Sequence, residues 1–247
     1  MRFLYYNIAY ATGAPESHSH SLLTAHRYLR SSHRHFDRVR DFISEVAPDI
    51  TGVVEVDNGS FRARRRNHVT ELADSMSHHA VFSSKYHHGS LGRRLPILRH
   101  QGNAILSRDK AAHSQAHFLT FGFKRLVLES HVCGVRVFLV HLALRRETRI
   151  KQLRDLCRIV GNCGDEAILV AGDFNAYRGV HELHEFQEHT GLLSANRNAY
   201  PTFPTWAPTR EIDFVLYSPG VRVSEFTVRH DVRLSDHLPM ILDFELN

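Results

Sequence analysis

The chain has 247 residues, of which 43% are hydrophobic and 23% charged. This composition is typical of a soluble globular protein and excludes a disordered or fibrous chain. No run reaches the roughly 18 apolar residues that are needed to cross a bilayer. The formal charge of +5 and the pI near 9.3 favour polyanionic partners, either nucleic acid or an anionic lipid surface.

Residues 1–247 are expected to form one domain, because no linker rich in Pro, Gly or Ser divides them. The first residues carry no signal-peptide cleavage pattern, and Cys133, Cys157 and Cys163 form no metal-ligand pattern and cannot all pair. These features favour a cytoplasmic protein, although a chain without its leader would look the same. The 20 histidines occur in clusters such as His78/His79, which leaves a histidine-rich metal-binding protein as one alternative.

The first third of the chain is predicted to place two polar side chains at strand ends. Phe3 to Ala9 is predicted as a strand that ends near Asn7, and Leu22 to Val46 as a helix that Pro48 stops. Asp49 to Glu55 is predicted as a second buried strand that ends in a carboxylate. An amide and a carboxylate at one sheet edge are candidate ligands for a hard cation such as Mg²⁺.

A basic run follows in a helix predicted over Phe61 to Met76. Such a run is most often a solvated face, but beside a phosphate-handling site it can bind a polyanion. Arg62 and Arg65 are therefore candidate substrate-binding residues. Lys85 to Arg99 is predicted as a loop that could overhang the site.

The middle of the chain adds further strands. Strands are predicted over His79 to Ser83 and over Asn103 to Ser107, and Asn103 is a candidate substrate-binding residue. Phe121 to Glu129 and Val135 to Val140 are predicted as antiparallel neighbours, the second of which ends at His141. Thr148 to Val160 is predicted as a helix.

Ile168 to Arg178, with the sequence ILVAGDFNAYR, organises the rest of the chain. Four apolar residues predict a buried strand, and Gly172 breaks it so that Asp173 and Asn175 emerge at its carboxyl end, where open α/β sheets place their chemistry. The carboxylate can accept a proton from water, and the amide can donate a hydrogen bond to an anionic oxygen. The alternative is that both residues only form a turn.

The last quarter supplies the remaining candidates. Val180 to Thr190 is predicted as a short helix, and Thr202 to Trp206 as a loop whose Trp206 can stack on a base, lie against lipid or pack at the domain edge. Strands are predicted over Glu211 to Tyr217, with Asp213 near its start, over Val221 to His230 at an edge, and over Met240 to Leu246. Asp236 and His237 precede the last strand.

These candidates include no Ser or Cys nucleophile beside a base, no Walker-type loop and no zinc pattern. Oxygen ligands, imidazoles and amides are what hydrolysis of a phosphate ester by metal-activated water requires. GDFN at 172–175 and SDH at 235–237, together with Asn7, Glu55, LVHL at 139–142 and IDF at 212–214, resemble the endonuclease/exonuclease/phosphatase (DNase I-like) superfamily and its small bacterial members.

The resemblance implies a four-layer α/β sandwich of two mixed β-sheets packed face to face with helices outside. It further implies that Glu55, with Asn7 and Asp236, holds Mg²⁺, with Mn²⁺ as an alternative. Asp173 would activate water, Asn175 and His141 would bind the scissile phosphate, and His237, oriented by Asp213, would stabilise the transition state.

Two positions depart from the pattern of the superfamily. Many relatives have a carboxylate near the NAILS segment that supports the histidine equivalent to His141, whereas this chain has His100, Gln101 and Asn103. Ala9 stands where some nucleases have a second carboxylate, so that a single metal ion is expected.

The leading functional hypothesis is a nuclease that acts on DNA or RNA. The alternative is a phospholipid, sphingomyelin or inositol-phosphate phosphodiesterase or phosphatase at a membrane surface, because the TFPTWAP and REIDFVLYSP segments resemble the lipid-anchor-remodelling branch. A non-catalytic binding scaffold on the same fold is the alternative from another class. No stable protein partner is predicted.

Overall fold

The computed structural model describes residues 1–14, 32–86, 95–161 and 167–247. Its helices are α1 (His33–Val46), α2 (His68–Met76), α3 (Arg146–Gly161) and α4 (His184–Thr190), and short 3₁₀ turns cover Ala9–Ala11, Leu98–His100 and Val180–Leu183. The strands are β1 (Arg2–Asn7), β2 (Ile50–Asp57), β3 (His79–Ser84), β4 (Gln101–Ser107), β5 (His113–Phe118), β6 (Leu126–Val132), β7 (Val135–His141), β8 (Ile168–Asp173), β9 (Leu193–Ser194), β10 (Asp213–Tyr217), β11 (Val221–Val228) and β12 (Met240–Leu246).

The strands form two six-stranded sheets. The first sheet has the order β11-β12-β1-β2-β4-β3, and the second has the order β5-β6-β7-β8-β10-β9. Both sheets are mixed, because β1 runs parallel to β2 and β7 runs parallel to β8, while the other neighbours are antiparallel. The carboxyl ends of each parallel pair therefore meet at one sheet edge.

The two sheets pack face to face with helices on both outer faces. Phe3, Leu139 and Val215 belong to the apolar cluster between the sheets. A second cluster joins α1 and α2 to the first sheet, and a third joins α3 and α4 to the second sheet. These four layers confirm the predicted sandwich.

Helix α1 illustrates how local signals set its ends. The Ser32 side chain accepts a hydrogen bond from the His35 backbone N–H at the start, and Ala47 closes the helix in a left-handed conformation just before Pro48. Phe36, Val39 and Ile43 are buried at helical spacing. The stop that Pro48 predicts is thus confirmed, while the earlier part of the predicted helix, Leu22 to Ser31, lies outside the described residues.

The helix predicted over Phe61 to Met76 is wrong in its first seven residues. Helix α2 starts only at His68, because the Asn67 side chain caps it by accepting hydrogen bonds from the backbone N–H groups of Val69 and Thr70. The segment before it is a set of turns in which Arg64 and Arg65 have φ values of 49° and 64°. The basic run therefore lies in a loop.

Strand β5 is not among the predicted strands. The first four side chains of this strand, beginning with His113, are exposed. Its sequence therefore lacks the alternation of apolar and polar residues by which a half-buried strand is recognised. Backbone pairing with β6 alone forms this edge strand. Among the described helices, none has the length and apolarity to cross a membrane.

Candidate functional site

The register of the second sheet aligns three of the predicted residues in a row. His141 on β7 stands opposite Asp173 on β8, and Asp173 stands opposite Asp213 on β10. Residues of the first sheet bond to this row across the interface: Asn7 Nδ2 donates to Asp173 Oδ2 (3.3 Å) and the Tyr5 hydroxyl donates to Asp213 Oδ1 (3.1 Å). The candidate site therefore forms where the two sheets meet.

Asp173 is a buried carboxylate with cationic neighbours. Its Oδ2 lies 3.2 Å from His141 Nε2 and 3.8 Å from His237 Nε2, and its Oδ1 accepts the backbone N–H of Asn175 (2.9 Å). Burial by itself would raise the pKa of Asp173, but His141, His237 and Lys124 lower it well below its usual value. Asp173 is therefore ionised at neutral pH.

Asp213 orients His237. Its Oδ2 accepts His237 Nδ1 (2.8 Å) and the Thr202 hydroxyl (2.7 Å), and its side chain has no exposed surface. Burial by itself would lower the pKa of His237, but the carboxylates of Asp213 and Asp236 raise it above its usual value. His237 is therefore held as a cation whose Nε2 points to Asp173.

A β-bulge presents Glu55. Val54 and Glu55 of β2 both stand opposite Asn103 of β4, and Glu55 adopts a φ of 55°. Left-handed backbone is uncommon for residues other than glycine and is concentrated at functional sites. The Glu55 side chain is 15% exposed, with its Oε1 3.7 Å from His141 Nδ1 and 3.9 Å from Lys124 Nζ.

Two further oxygen groups lie near Glu55: Asn7 stands opposite Val54, and Asp236 is close enough for the charge of Glu55 to affect it. Asn7 Oδ1 accepts the Ala9 backbone N–H (3.1 Å), and Ser235 Oγ donates to Asp236 Oδ1 (3.1 Å). Burial raises the pKa of Asp236, as does the negative charge of Glu55. The carboxylates of Glu55 and Asp236, which repel each other, and the amide oxygen of Asn7 are oxygen ligands of the kind that a hard divalent cation prefers.

A different group has the ligand atoms of Asp173, Asp213 and His237 within 4.8 Å of one another. In that group His237 Nδ1 hydrogen-bonds to Asp213, which also accepts from Tyr5 and Thr202. These contacts occupy His237 Nδ1 and both oxygens of Asp213. His237 Nε2 lies 3.8 Å from Asp173 Oδ2, so the group is better described as a hydrogen-bonded His237–Asp213 pair that faces Asp173 than as a metal centre.

Asn175 lies beside Asp173 in a strained turn. Its φ is 51°, and its Nδ2 donates to the Leu142 carbonyl at 2.9 Å. The preceding Gly172 is required by close packing, because a Cβ there would lie 2.1 Å from the Val140 carbonyl oxygen. The predicted strand and turn are confirmed, but the predicted break at Gly172 is wrong, because β8 continues through Gly172 to Asp173.

The loop Thr202 to Trp206 supports the SDH segment. The Thr205 backbone N–H and hydroxyl donate to the carbonyls of Asp236 (2.9 Å) and Ser235 (2.6 Å). Trp206 is half-buried and its ring lies 6.4 Å from that of Phe203, which in turn lies 4.9 Å from the His237 ring. Trp206 thus stands one aromatic ring away from the catalytic candidates.

The prediction that Arg62 lies on an exposed phosphate-binding face is wrong. Its side chain is fully buried 3.7 Å from Asp57, and its NH1 donates to the Tyr10 carbonyl (2.9 Å). Asp57, also buried, accepts the Ser60 N–H and hydroxyl, so Arg62 closes a turn. Arg65 is exposed on that turn, while Asn103 is buried in β4 beside Glu55.

Two lysines that the sequence interpretation omitted lie at the site. Lys124, between β5 and β6, contacts His141 Nε2 as well as Glu55. Lys85 Nζ donates to the Tyr10 hydroxyl at 2.8 Å, and burial lowers the pKa of Lys85 to about 8. Lys85 begins the segment predicted as a loop. Lys124 falls in the strand predicted over Phe121 to Glu129, which is wrong in its first five residues because β6 starts only at Leu126. Among the described residues, the carboxylate within 4.0 Å of His141 Nδ1 is that of Glu55 (3.7 Å).

Comparisons with known proteins agree with this architecture. The sequence model of the Endonuclease/Exonuclease/phosphatase family matches residues 4–237. No match was found among curated protein sequences. The fold is similar to that of an endonuclease/exonuclease/phosphatase from Beutenbergia cavernae, with 21% identity, coverage of 100% of this chain and 72% of that chain, and a TM-score of 0.72.

Two further structures share the fold. The mannosyl-6-phosphatase Bt3783 of Bacteroides thetaiotaomicron is 14% identical over 100% of both chains, with a TM-score of 0.72. The human Nocturnin catalytic domain with a bound sulfate anion is 19% identical over 100% of this chain and 94% of that chain, with a TM-score of 0.67. At these identities the likeness concerns the fold alone.

Proposed function

The chain belongs to the endonuclease/exonuclease/phosphatase family, and we propose that within this family of phosphoester hydrolases it is a Mg²⁺-dependent phosphodiesterase acting on DNA or RNA. The observation that carries the proposal is the row Asp213, His237 and Asp173, in which His237 Nδ1 is hydrogen-bonded to Asp213 Oδ2 (2.8 Å) and His237 Nε2 faces Asp173 Oδ2 as an ion pair at 3.8 Å. It joins an ionised carboxylate to an oriented imidazolium in a buried, water-poor setting, where such charges act strongly.

Each residue of the site has a distinct role in this proposal. Asp173, which its cationic neighbours keep ionised, orients the attacking water and accepts its proton as the water attacks phosphorus. His237, fixed by Asp213, presents its Nε2–H to the developing negative charge on the phosphoryl oxygens. His141 adds a second imidazole beside Asp173, and Asn175 supplies an amide donor after it leaves the Leu142 carbonyl.

Glu55, Asn7 and Asp236 would hold the metal ion, because they offer the oxygen donors that Mg²⁺ or Mn²⁺ prefers. When bound, the ion neutralises charge on the scissile phosphate. Lys124 stands beside this donor set and adds a further positive charge for the same phosphate. The absence of a second carboxylate at Ala9 supports one ion rather than two.

A lipid substrate is the second candidate, and one surface observation favours it. Phe123 is 90% exposed and Phe121 is 42% exposed, directly before Lys124. Exposed aromatic rings beside a cation suit an anionic lipid surface. The fold does not decide between the candidates, since a sugar phosphatase shares it.

The test is hydrolysis with and without Mg²⁺ on a panel of supercoiled plasmid, abasic-site duplex, single-stranded RNA, sphingomyelin, phosphatidylinositol lipids and a chromogenic phosphodiester. Plasmid or RNA cleavage that needs Mg²⁺ is the expected result. Asp173→Asn is expected to lower kcat by about 100- to 10,000-fold with an unchanged circular dichroism spectrum. Turnover of lipid alone would replace the nuclease by the lipid candidate. Mg²⁺ binding without any cleavage would favour the non-catalytic scaffold.

A further inference from the structure

A cavity of about 540 Å³ opens beside the catalytic candidates. Its wall begins at Ala176, next to Asn175, and continues through Tyr177 and Arg178 to Arg210 and Glu211. The volume lies within the range of roughly 300 to 1,000 Å³ that is usual for small-ligand sites. The proposed chemistry at Asp173 and His237 leaves this space unused.

Tyr177 connects the cavity to the catalytic candidates. Its ring lies 6.2 Å from that of Phe203, which packs on His237. Burial and the carboxylates of Asp173, Asp236 and Asp213 raise the pKa of Tyr177 to about 12, so its hydroxyl keeps its proton. Tyr177 therefore belongs to the cavity wall and also lies within electrostatic reach of the carboxylates of the candidate site.

Two arginines bring positive charge to the cavity wall. Both Arg178 and Arg210 are exposed, and in the described parts of the chain no carboxylate lies within 4.0 Å of either guanidinium. The carboxylate nearest in sequence to Arg178, Glu182, accepts the Arg178 backbone N–H (3.0 Å) and is paired with Arg149 (2.6 Å). Arg210 is held by its bond to the Tyr177 carbonyl (3.2 Å) and by stacking over the Tyr177 ring (5.4 Å).

Glu211 is the acidic residue of the cavity wall, and its charge is partly suppressed. Its Oε1 accepts Asn196 Nδ2 at 2.8 Å, and burial raises the pKa of Glu211 to about 7. The wall is therefore net positive near neutral pH, and it holds guanidinium groups whose planar donors match the oxygens of a phosphate.

We infer that this cavity is a second phosphate subsite, in which Arg178 and Arg210 bind a phosphate group that neighbours the one being cleaved. The inference rests on the proposed function and specifies its substrate. The substrate is a phosphodiester with another phosphate one unit along, as in a nucleic acid strand or a small phosphorylated dinucleotide. A neutral leaving group such as ceramide would leave both arginines unused.

The test compares three thymidine dinucleotides with the same internal phosphodiester: TpT, pTpT and TpTp, the last two with one additional end phosphate. Binding is measured by titration calorimetry in EDTA, which suppresses metal-dependent turnover. One of the two phosphorylated dinucleotides is expected to bind about 10-fold or more tightly than TpT. Equal affinity of all three dinucleotides for the wild-type protein would overturn the inference.

Variants identify the groups responsible. Arg178→Ala and Arg210→Ala are each expected to reduce the advantage of the phosphorylated dinucleotide to about twofold, while TpT binding changes little. Glu211→Gln is expected to increase that advantage, because it removes a negative charge. Arg38→Ala is the matched control, since Arg38 is exposed on α1 and its loss changes the net charge equally. If Arg38→Ala reduced the advantage of the phosphorylated dinucleotide as much as Arg178→Ala does, the effect would come from the net charge of the protein, and the inference of a subsite would be overturned.

A further arm separates the two sources of the second phosphate. An oligothymidylate of 12 nucleotides that binds more tightly than the best dinucleotide, with the same arginine dependence, indicates a strand. Equal affinity indicates a small molecule. Hydrolysis with Mg²⁺ is measured in parallel. Arginine-dependent binding without hydrolysis would support the subsite and contradict the proposed phosphodiesterase activity. Hydrolysis without any preference for an end phosphate would support the phosphodiesterase activity and contradict the subsite.

Discussion

Lys124 is the residue whose position changes the description of the site most. Its ammonium group contacts both Glu55, on the first sheet, and His141, on the second. A cation at this point reduces the repulsion among Glu55, Asp173 and the incoming phosphate. Its loss is expected to affect phosphate binding more than the water-activating carboxylate.

We therefore predict that Lys124→Ala lowers kcat/KM by about 10- to 100-fold, the effect of losing one charged hydrogen bond, with most of the change in KM. Lys124→Arg should retain more of the activity. Lys151→Ala serves as the control, because Lys151 is exposed on α3 and lies over the Phe121 ring (4.7 Å). Equal losses in Lys124→Ala and Lys151→Ala would contradict the assignment.

At the scale of elements, the parallel pair β7 and β8 is the part of the second sheet that brings the site together. Its register sets His141 against Asp173. The same pair comes so close at Gly172 that a Cβ would lie 2.1 Å from the Val140 carbonyl oxygen. Glycine at this position is thus a condition for the strand spacing and for the placement of Asp173.

Gly172→Ala is predicted to lower the free energy of unfolding by about 1 to 3 kcal/mol, as overpacking does, and to reduce activity by shifting β8. Gly161→Ala is the matched variant, since among the described residues no atom lies within 4 Å of a Cβ built there, and it should be neutral or stabilise by about 0.4 to 1 kcal/mol. Urea denaturation monitored by circular dichroism measures both. A neutral Gly172→Ala would show that β8 can relax.

For the whole molecule, the four layers depend on helix contacts far from the site. Between α1 and α2, the His68 ring stacks on Phe36 with centroids 3.8 Å apart, and only 1% of His68 is exposed. Burial lowers the pKa of His68 to about 3, and the charges of Glu71, Arg62, Arg66 and His33 modify it. His68 is therefore neutral in the folded protein at pH 7.

This burial makes stability depend on pH. In the unfolded chain His68 takes up a proton below its ordinary pKa of 6.5, whereas the folded protein does not until the pH nears 3. The free energy of unfolding is thus expected to decrease as the pH is lowered from about 6.5 to about 3, by at most about 1.4 kcal/mol per pH unit. His68→Phe should flatten this part of the profile, measured by urea denaturation from pH 7 to 4, while His113→Phe on exposed β5 should not. Identical profiles for His68→Phe and the wild-type protein would contradict this account.

The assignment of residues 1–247 to one domain remains a prediction, and so do the roles given to Glu55, Asp173 and His237. The order of the elements was easier to predict from the sequence. Short apolar runs bounded by Gly, Pro or polar residues predicted β1, β2, β8 and β10, because burial of a strand and the residues that end it are local properties.

Local sequence alone determined which polar residues follow which buried strand, and hence that Asn7, His141 and Asp173 lie at strand ends. The prediction that the second strand ends at Glu55 is wrong, because β2 continues past the bulge to Asp57. Tertiary structure decided the rest: the burial of Arg62, the bulge at Glu55 and the approach of Lys124. Each of these depends on contacts between segments distant in sequence. An arginine or lysine outside the regular elements has the same local pattern whether it faces solvent or a carboxylate, and only the tertiary packing around it determines which of the two it meets.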